Sequence, residues 1–335
     1  MSAPNVTGYA ALAAGAQLEP FNYPSPELGE YDVRVDITHC GICHSDIQAI
    51  DDYYGITSYP LVPGHEIVGH VSAVGRGVSA LKEGDRVGIG WQARSCGHCE
   101  WCLNGREQLC MDIADCGVYT PHGGFASSVV ADHRFAYPLP DAMPAELAAV
   151  LMCAGVTVYS PLRAFAGASA RSLGIVGVGG LGHLAIQFAH AFGYEVTAIS
   201  STAEKQAQAL AFGADHFLVS EPSTLKQANY RFDMLLCTAP GKFEWDPLLM
   251  TVKKAGKLVL VGFPDVAFNS TDLVAHELSI MTSFLGTHAD MRDMLSFAQS
   301  HNIKAAVELM PMTQVNEALQ RLRDNKARYR IVLAN

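Results

Sequence analysis

The segment SLGIVGVGGLGHLAIQFAHAF, residues 172–192, decides the architecture of this chain. Its first part is an apolar run, expected as a buried strand over 172–178, and its last part has the apolar spacing of a helix over 181–192. Between them, Gly177-Val178-Gly179-Gly180-Leu181-Gly182 fits G-x-G-x-x-G. Such glycines permit a tight turn, close backbone approach to a pyrophosphate and close helix–strand packing. The helix N-terminus adds unpaired N–H groups for an anion. A bare Gly-rich turn says little, but one set between a strand and a helix reads as dinucleotide-binding rather than as a purely structural turn.

Outward from this turn the alternation continues. Strand patterns at 195–200, 232–237, 257–262 and 279–284 and a helix pattern at 203–212 imply a parallel sheet covered by helices on both faces. The texture changes near Ala145, so the nucleotide-binding domain is expected over 146–284. Residues 1–145 hold short β-rich runs, 33–37 and 66–74 among them, between Gly- and Pro-rich turns such as 60–64 and 84–85, which suggests a compact all-β unit with long loops. Residues 285–335 add two short helical patterns and a final strand at 329–333.

After the 195–200 strand an NAD site usually carries Asp or Glu for the ribose hydroxyls. Here stand Ser200, Ser201, Thr202 and, one turn later, Lys205. Hydroxyls and a cation suit a 2′-phosphate, which a carboxylate would repel, so the expectation is NADP(H). Ser201 or Thr202 could also simply N-cap the next helix.

A length of 335 residues suits two domains. The formal net charge of -10 argues against nucleic acid or an anionic membrane as partner. The basic group Lys326-Ala327-Arg328-Tyr329-Arg330 reads as the exposed end of the last strand. The most apolar stretches, 147–162 and 173–186, are interrupted by Gly, Ser or Pro and fall short of the ~20 residues a bilayer requires. The opening Met1-Ser2-Ala3-Pro4-Asn5 has no Lys or Arg, so the Ala-rich 10–16 piece lacks the charged region of a signal peptide, and the expectation is cytoplasmic.

Nine cysteines could suggest a disulfide framework, but Cys96, Cys99, Cys102 and Cys110 are too closely spaced for ordinary bridges. Four sulfurs at that spacing wrap one tetrahedral zinc, closed to substrate and therefore structural. An iron–sulfur cluster is a less fitting occupant.

A second group is dispersed. Cys43 lies in Cys40-Gly41-Ile42-Cys43-His44-Ser45-Asp46, His65 and Glu66 follow Pro63-Gly64, and Cys153 opens Cys153-Ala154-Gly155-Val156-Thr157. Composition alone does not join these residues. With the four-cysteine loop, Gly123-Gly124-Phe125 and the Gly-rich turn, they resemble the zinc-dependent medium-chain alcohol dehydrogenases. Within that family the likeness is to the cinnamyl-alcohol-dehydrogenase-like branch and its bacterial NADPH-dependent aldehyde reductases, over nearly the whole chain.

The resemblance implies a GroES-like β-rich catalytic domain, residues 1–145 and 285–335, around a Rossmann domain, with the active site in the cleft. It implies a catalytic zinc on Cys43, His65 and Cys153 with Glu66 as occasional fourth ligand, hence two zincs per chain. It implies Asp46 orienting a ligand, Ser45 bonded to the substrate oxygen, His44 and Arg330 (or Arg328) at the pyrophosphate, and Thr157 near the nicotinamide. Trp91, on the strand entering the four-cysteine loop, would line the substrate pocket with Tyr54 and Ile56. Many relatives carry His where this chain has Gln48, which cannot titrate near neutrality, so the proton path would end on water or a ribose hydroxyl.

The expected activity is hydride transfer between NADP(H) and an uncharged aldehyde or primary alcohol, mainly aldehyde reduction, by a homodimer or homotetramer. Alternatives are oxidation of aromatic or polyol alcohols, zinc-free enone reduction, which the complete ligand sets oppose, and an idle NADPH-binding scaffold.

Overall fold

The computed structural model describes residues 4–166 and 171–335; Met1–Ala3, part of the N-terminal reading above, lie outside it. The chain forms two compact units. The first holds the residues up to Cys153 with Thr287–Gln299 and Ala305–Asn335, and the second Ala154–Gly286 with Ser300–Lys304.

The first unit is built on a seven-stranded sheet. Its path runs Val307–Pro311, Arg330–Ala334, Asp32–Ile42, Glu66–Val74, Arg86–Ile89 and Ala136–Pro138, and Ser128–Asp132 also pairs with Asp32–Ile42. Val33, Val35 and Ile37 alternate inward with more exposed Arg34 and Asp36, as a strand with one buried face must. The register positions the functional end. Gly41 lies opposite Glu66 and Ile42 opposite Ile331, so Cys43, His65 and Arg330 leave neighbouring strands at the same end of the sheet.

The second unit contains six parallel strands in the order His216–Val219, Glu195–Ser200, Ser172–Val176, Phe232–Cys237, Val252–Leu260 and Ser279–Thr282. Numbered along the chain this is 3-2-1-4-5-6, the Rossmann order, whose ligand crevice opens where strands 1 and 4 diverge. Gly177 follows strand 1 and Thr238 strand 4, and the Thr238 hydroxyl donates to the carbonyls of Val176 and Gly177 at 3.0 and 3.1 Å.

Several elements differ from their sequence expectation. The first strand stops at Val176 because Gly177 takes a φ of +95°, and the helix begins at Gly182. The segment expected at 203–212 is a 3-10 turn, Ala203–Lys205, running into the helix Gln206–Ala211. The four-residue strand His216–Val219 is too short to leave a pattern. His44–Ile50 is helical. The apolar stretch that Gly and Pro were expected to interrupt is one 21-residue helical run, Ala145–Phe165, with 78% of its apolar window buried. Burial holds it together despite Pro161, and a π turn, Leu151–Gly155, absorbs the glycine. Its length and apolarity would suffice to cross a membrane, but its burial is that of a core helix.

Asp233 staples the far end of the second sheet. Its carboxylate accepts from Arg171 N (2.9 Å), Ser172 N (2.9 Å), Ser172 Oγ (2.8 Å) and Lys253 Nζ (2.9 Å). Burial works against its charge, but the Ser172 N–H and the Lys253 ammonium outweigh this and bring its pKa down to about 2. Because the folded-state pKa is depressed, the stabilisation is present above the ordinary Asp value and is lost as pH falls through about 2. Asp233→Ala should therefore lower stability to chemical unfolding at pH 7 by about 1.5–3 kcal/mol. The gap from the native chain should narrow below roughly pH 4; a gap independent of pH would contradict the assignment.

Candidate active site

Asp46 organises the end of the first sheet. It is fully buried in the helix His44–Ile50 and accepts from Cys43 N at 2.7 Å, Gly64 N at 3.1 Å and His65 Nδ1 at 2.9 Å. Donating through Nδ1 leaves His65 Nε2 free to ligate. That atom and Glu66 Oε2 are buried with no hydrogen-bond partner among the described residues. One ligand atom from each of Cys43, His65, Glu66 and Cys153 lies within 4.8 Å of the others. Two thiols, an imidazole nitrogen and a carboxylate oxygen are zinc donors, and the two orphaned atoms are the ones a metal would satisfy. Cys153 reaches the group from the π turn.

Electrostatics fit the same reading. A hydrogen bond from Cys153, with His65 and Arg330 nearby, brings the Cys43 thiol well below its ordinary pKa, while that bond and burial push Cys153 up. Burial raises the Glu66 carboxyl to about 7 against the opposing pull of Arg330. Arg330 is only 6% exposed and donates through Nη2 to Glu66 Oε1. This corrects the reading of 326–330 as an exposed strand end: Arg330 starts the strand Arg330–Ala334 and turns inward because a buried carboxylate needs a cation.

The four-cysteine loop closes on itself. Sulfur–sulfur separations are 3.5 Å for Cys99–Cys102, 3.5 Å for Cys96–Cys110 and 3.9 Å for Cys96–Cys102. A tetrahedron with Zn–S bonds of ~2.3 Å has edges of ~3.8 Å, whereas a disulfide needs ~2.05 Å. The geometry is that of a metal site, and all nine cysteines are free thiols.

Ser45 follows His44 on the same helix, with its Oγ 3.8 Å from Cys43 Sγ. Gln48 is half-buried one turn on, and His44 is exposed. Trp91 is not on a strand. It occupies a bend between Arg86–Ile89 and Gln92–Arg94, where Gly90 lets the chain pass so close to the Met152 carbonyl that a Cβ would lie 2.6 Å from it. Trp91 and Tyr54 each meet Tyr119 edge-on, with centroids 6.4 and 6.0 Å apart, while Ile56 is 60% exposed. Tyr119 went unseen in the sequence because Asp115-Cys116-Gly117-Val118-Tyr119 reads as an ordinary turn.

In the second unit the glycines divide their roles. A Cβ on Gly182 would lie 1.9 Å from Gly177 O, and one on Gly177 2.6 Å from Ala239 Cβ, whereas a Cβ on Gly179 would meet nothing within 4 Å. The first two are needed for packing, and at Gly179 the backbone stands open. Gly180 and Leu181 complete the turn, Leu181 as N-cap of the helix Gly182–Ala191. Lys205 Nζ donates to Val178 O at 2.7 Å, which sets its ammonium at this turn. Ser200 is buried, Ser201 and Thr202 are exposed, and Thr202 makes no side-chain cap, so capping does not account for its hydroxyl. Thr157 is buried in the helix Val156–Phe165.

Residues 29–141 match the alcohol dehydrogenase GroES-like domain, and residues 180–300 match the zinc-binding dehydrogenase domain. Aldehyde reductase AdhA of Synechocystis sp. is 38% identical over 333 residues, covering 98% of this chain and 99% of that protein. The chain belongs to the zinc-binding alcohol dehydrogenase family. Among solved structures, a cinnamyl alcohol dehydrogenase of Sorghum bicolor superposes with a TM-score of 0.93 at 38% identity, covering 99% of this chain and 98% of that one. A cinnamyl alcohol dehydrogenase of Helicobacter pylori complexed with NADP(H) gives 0.91 at 30% identity, covering 100% and 99%. As a family member the protein is an oxidoreductase of the alcohol dehydrogenase and aldehyde reductase class.

Two complete donor sets lead to two zincs per chain by metal analysis. Cys99→Ser should drop the content to one and destabilise the fold, since a structural zinc contributes folding energy. Cys153→Ser should also drop it to one, abolish turnover and leave most of the stability. Full activity with one zinc per chain would contradict the assignment.

Proposed function

We propose that the protein is a zinc-dependent aldehyde reductase that uses NADP(H) on uncharged aldehydes. The observation that carries this reading is the juxtaposition of Cys43, His65, Glu66 and Cys153, two of them with unpartnered buried atoms, with Ser45 beside them. A zinc on this set supplies Lewis acidity toward a carbonyl oxygen, and NADPH supplies hydride. The chain's own part is positional. Asp46 fixes the tautomer and ring plane of His65. Ser45 holds the proton destined for the reduced oxygen, and Gln48, unable to titrate, relays it only through a neighbouring hydroxyl or water. Trp91 and Tyr54 form an aromatic wall that favours uncharged substrates, because burying an unpaired carboxylate is costly.

NADP(H) is the reading of Ser200, Ser201, Thr202 and Lys205, in the absence of an acid at the end of the strand Glu195–Ser200. The Gly-rich turn would hold the pyrophosphate, and the family likeness adds His44, Arg330 and Thr157. We place a second copy of the chain at the outer strand Ser279–Thr282. Among the described residues it pairs on one side only, and Met281 within it and Phe284 just after it are 39% and 42% exposed, which favours a homodimer or a homotetramer built from it. We also place the protein in the cytoplasm, where a reducing compartment would keep thiolates available as metal donors.

Two experiments test this. Lys205→Glu should raise the KM for NADPH roughly ten- to a hundredfold, as loss of a charge-assisted contact would, and leave that for NADH nearly unchanged; equal effects would exclude a role at the phosphate. Ser45→Ala should cut turnover about 10²–10⁴-fold across a panel of aldehydes with little change in cofactor binding. Near-normal turnover, or a best substrate bearing a carboxylate, would refute the proposal.

A further inference from the structure

One oxygen of Asp115 folds the loop that follows it. Asp115 Oδ1 accepts from Val118 N at 2.9 Å, Tyr119 N at 3.0 Å, Thr120 N at 3.2 Å and Thr120 Oγ1 at 3.2 Å, and the residue is buried. Gly117 makes the turn possible, with a φ of +63° and no room for a Cβ, which would lie 2.5 Å from Val62 O. The loop is tied at both ends. Cys116 N donates to Trp91 O at 2.8 Å; at the other end Val62 N donates to Pro121 O at 2.9 Å and Gly123 N to Val62 O at 2.8 Å, three residues before the ligand His65. The loop thus spans from the aromatic wall to the metal-ligand segment. At its crest, Tyr119 stands edge-on to both Trp91 and Tyr54 and packs over Ala49, Leu61 and Val118. Its hydroxyl has no hydrogen-bond partner among the described residues. That oxygen is not among the buried unpartnered atoms, so water can satisfy it, and the ring rather than the hydroxyl makes the contacts.

We propose that Tyr119 is a specificity-determining residue of the substrate pocket, and that Asp115 is the residue that positions it. This rests on the reading of Trp91 and Tyr54 as pocket residues. Tyr119 supplies the middle ring of a three-ring wall against which a planar, apolar aldehyde lies. Burial, with Tyr54 and Asp115 nearby, pushes its phenol up to about 12, so the ring stays neutral through the working range.

The test compares kcat/KM for benzaldehyde and for propanal, with NADPH, in the zinc-loaded enzyme and its Tyr119→Ala, Tyr119→Phe, Asp115→Ala, Asp115→Asn and Trp91→Ala variants. Tyr119→Ala should move the benzaldehyde-to-propanal ratio about tenfold or more, through the KM for benzaldehyde, while kcat for propanal and the zinc content hold. Tyr119→Phe should keep the native ratio. Asp115→Ala should move it in the same direction as Tyr119→Ala; if that variant loses zinc or fails to fold, Asp115→Asn decides by the same shift. A native ratio in Tyr119→Ala with a changed one in Trp91→Ala overturns the proposal and leaves the pocket reading standing. Native ratios in both overturn the pocket reading and the proposal with it. A shifted Tyr119→Ala with native ratios in the folded Asp115 variants overturns the role of Asp115.

Discussion

The first unit depends on one buried carboxylate, that of Asp46. Removing such a charge from water is costly unless it is fully bonded, and Asp46 is bonded by three donors from two chain segments. That requirement does most of the positioning. Cys43 N must face the carboxylate, which fixes the start of the helix that carries Ser45. Gly64 N must face it too, which brings the turn before Glu66–Val74 alongside. His65 must give it Nδ1, which leaves only Nε2 to look into the donor set. The Glu66–Arg330 pair repeats the principle one strand over, where a buried carboxylate draws the first residue of the last strand inward.

What could be read in advance follows from how local each signal is. The Gly-rich turn and the four-cysteine spacing are contained in short segments, and each carries its chemistry in the spacing of its own residues. The second donor set is different. Cys43, His65 and Cys153 sit in three separate segments, and no periodicity links them; family likeness joined them in the sequence and sheet register joins them in space. The inward turn of Arg330 was hidden because a run of basic residues looks solvated, while the carboxylate it meets lies in a distant segment. Trp91 reads as a strand residue in the sequence because Gly90, where the chain bends, shows its reason only against Met152. The Ala145–Phe165 helix outruns its expected breaks because propensity is a weak prior against predominant burial.

The two thiol-rich centres solve different problems with similar ligands. In the four-cysteine loop every donor faces another sulfur, which leaves no position for substrate. The second set mixes thiols with an imidazole and with a carboxylate that already has a cationic partner. On the proposed reading Glu66 would therefore leave a metal without stranding a charge. Closed coordination suits a staple and exchangeable coordination suits catalysis.

The staple is nonetheless tied to the aromatic cluster of Trp91, Tyr119 and Tyr54. The four-cysteine loop leaves and re-enters through the short ladder of Gln92–Arg94 with Ala114–Asp115, in which Gln92 lies opposite Asp115. Trp91 precedes one strand of that ladder, and Asp115, with the turn that presents Tyr119, ends the other. A metal that closes the loop also fixes the separation of its two ends, and so the spacing of the two rings that stand on them. On the proposed reading of those rings as pocket residues, the four-cysteine centre would influence what reaches the active site through backbone register, without touching substrate.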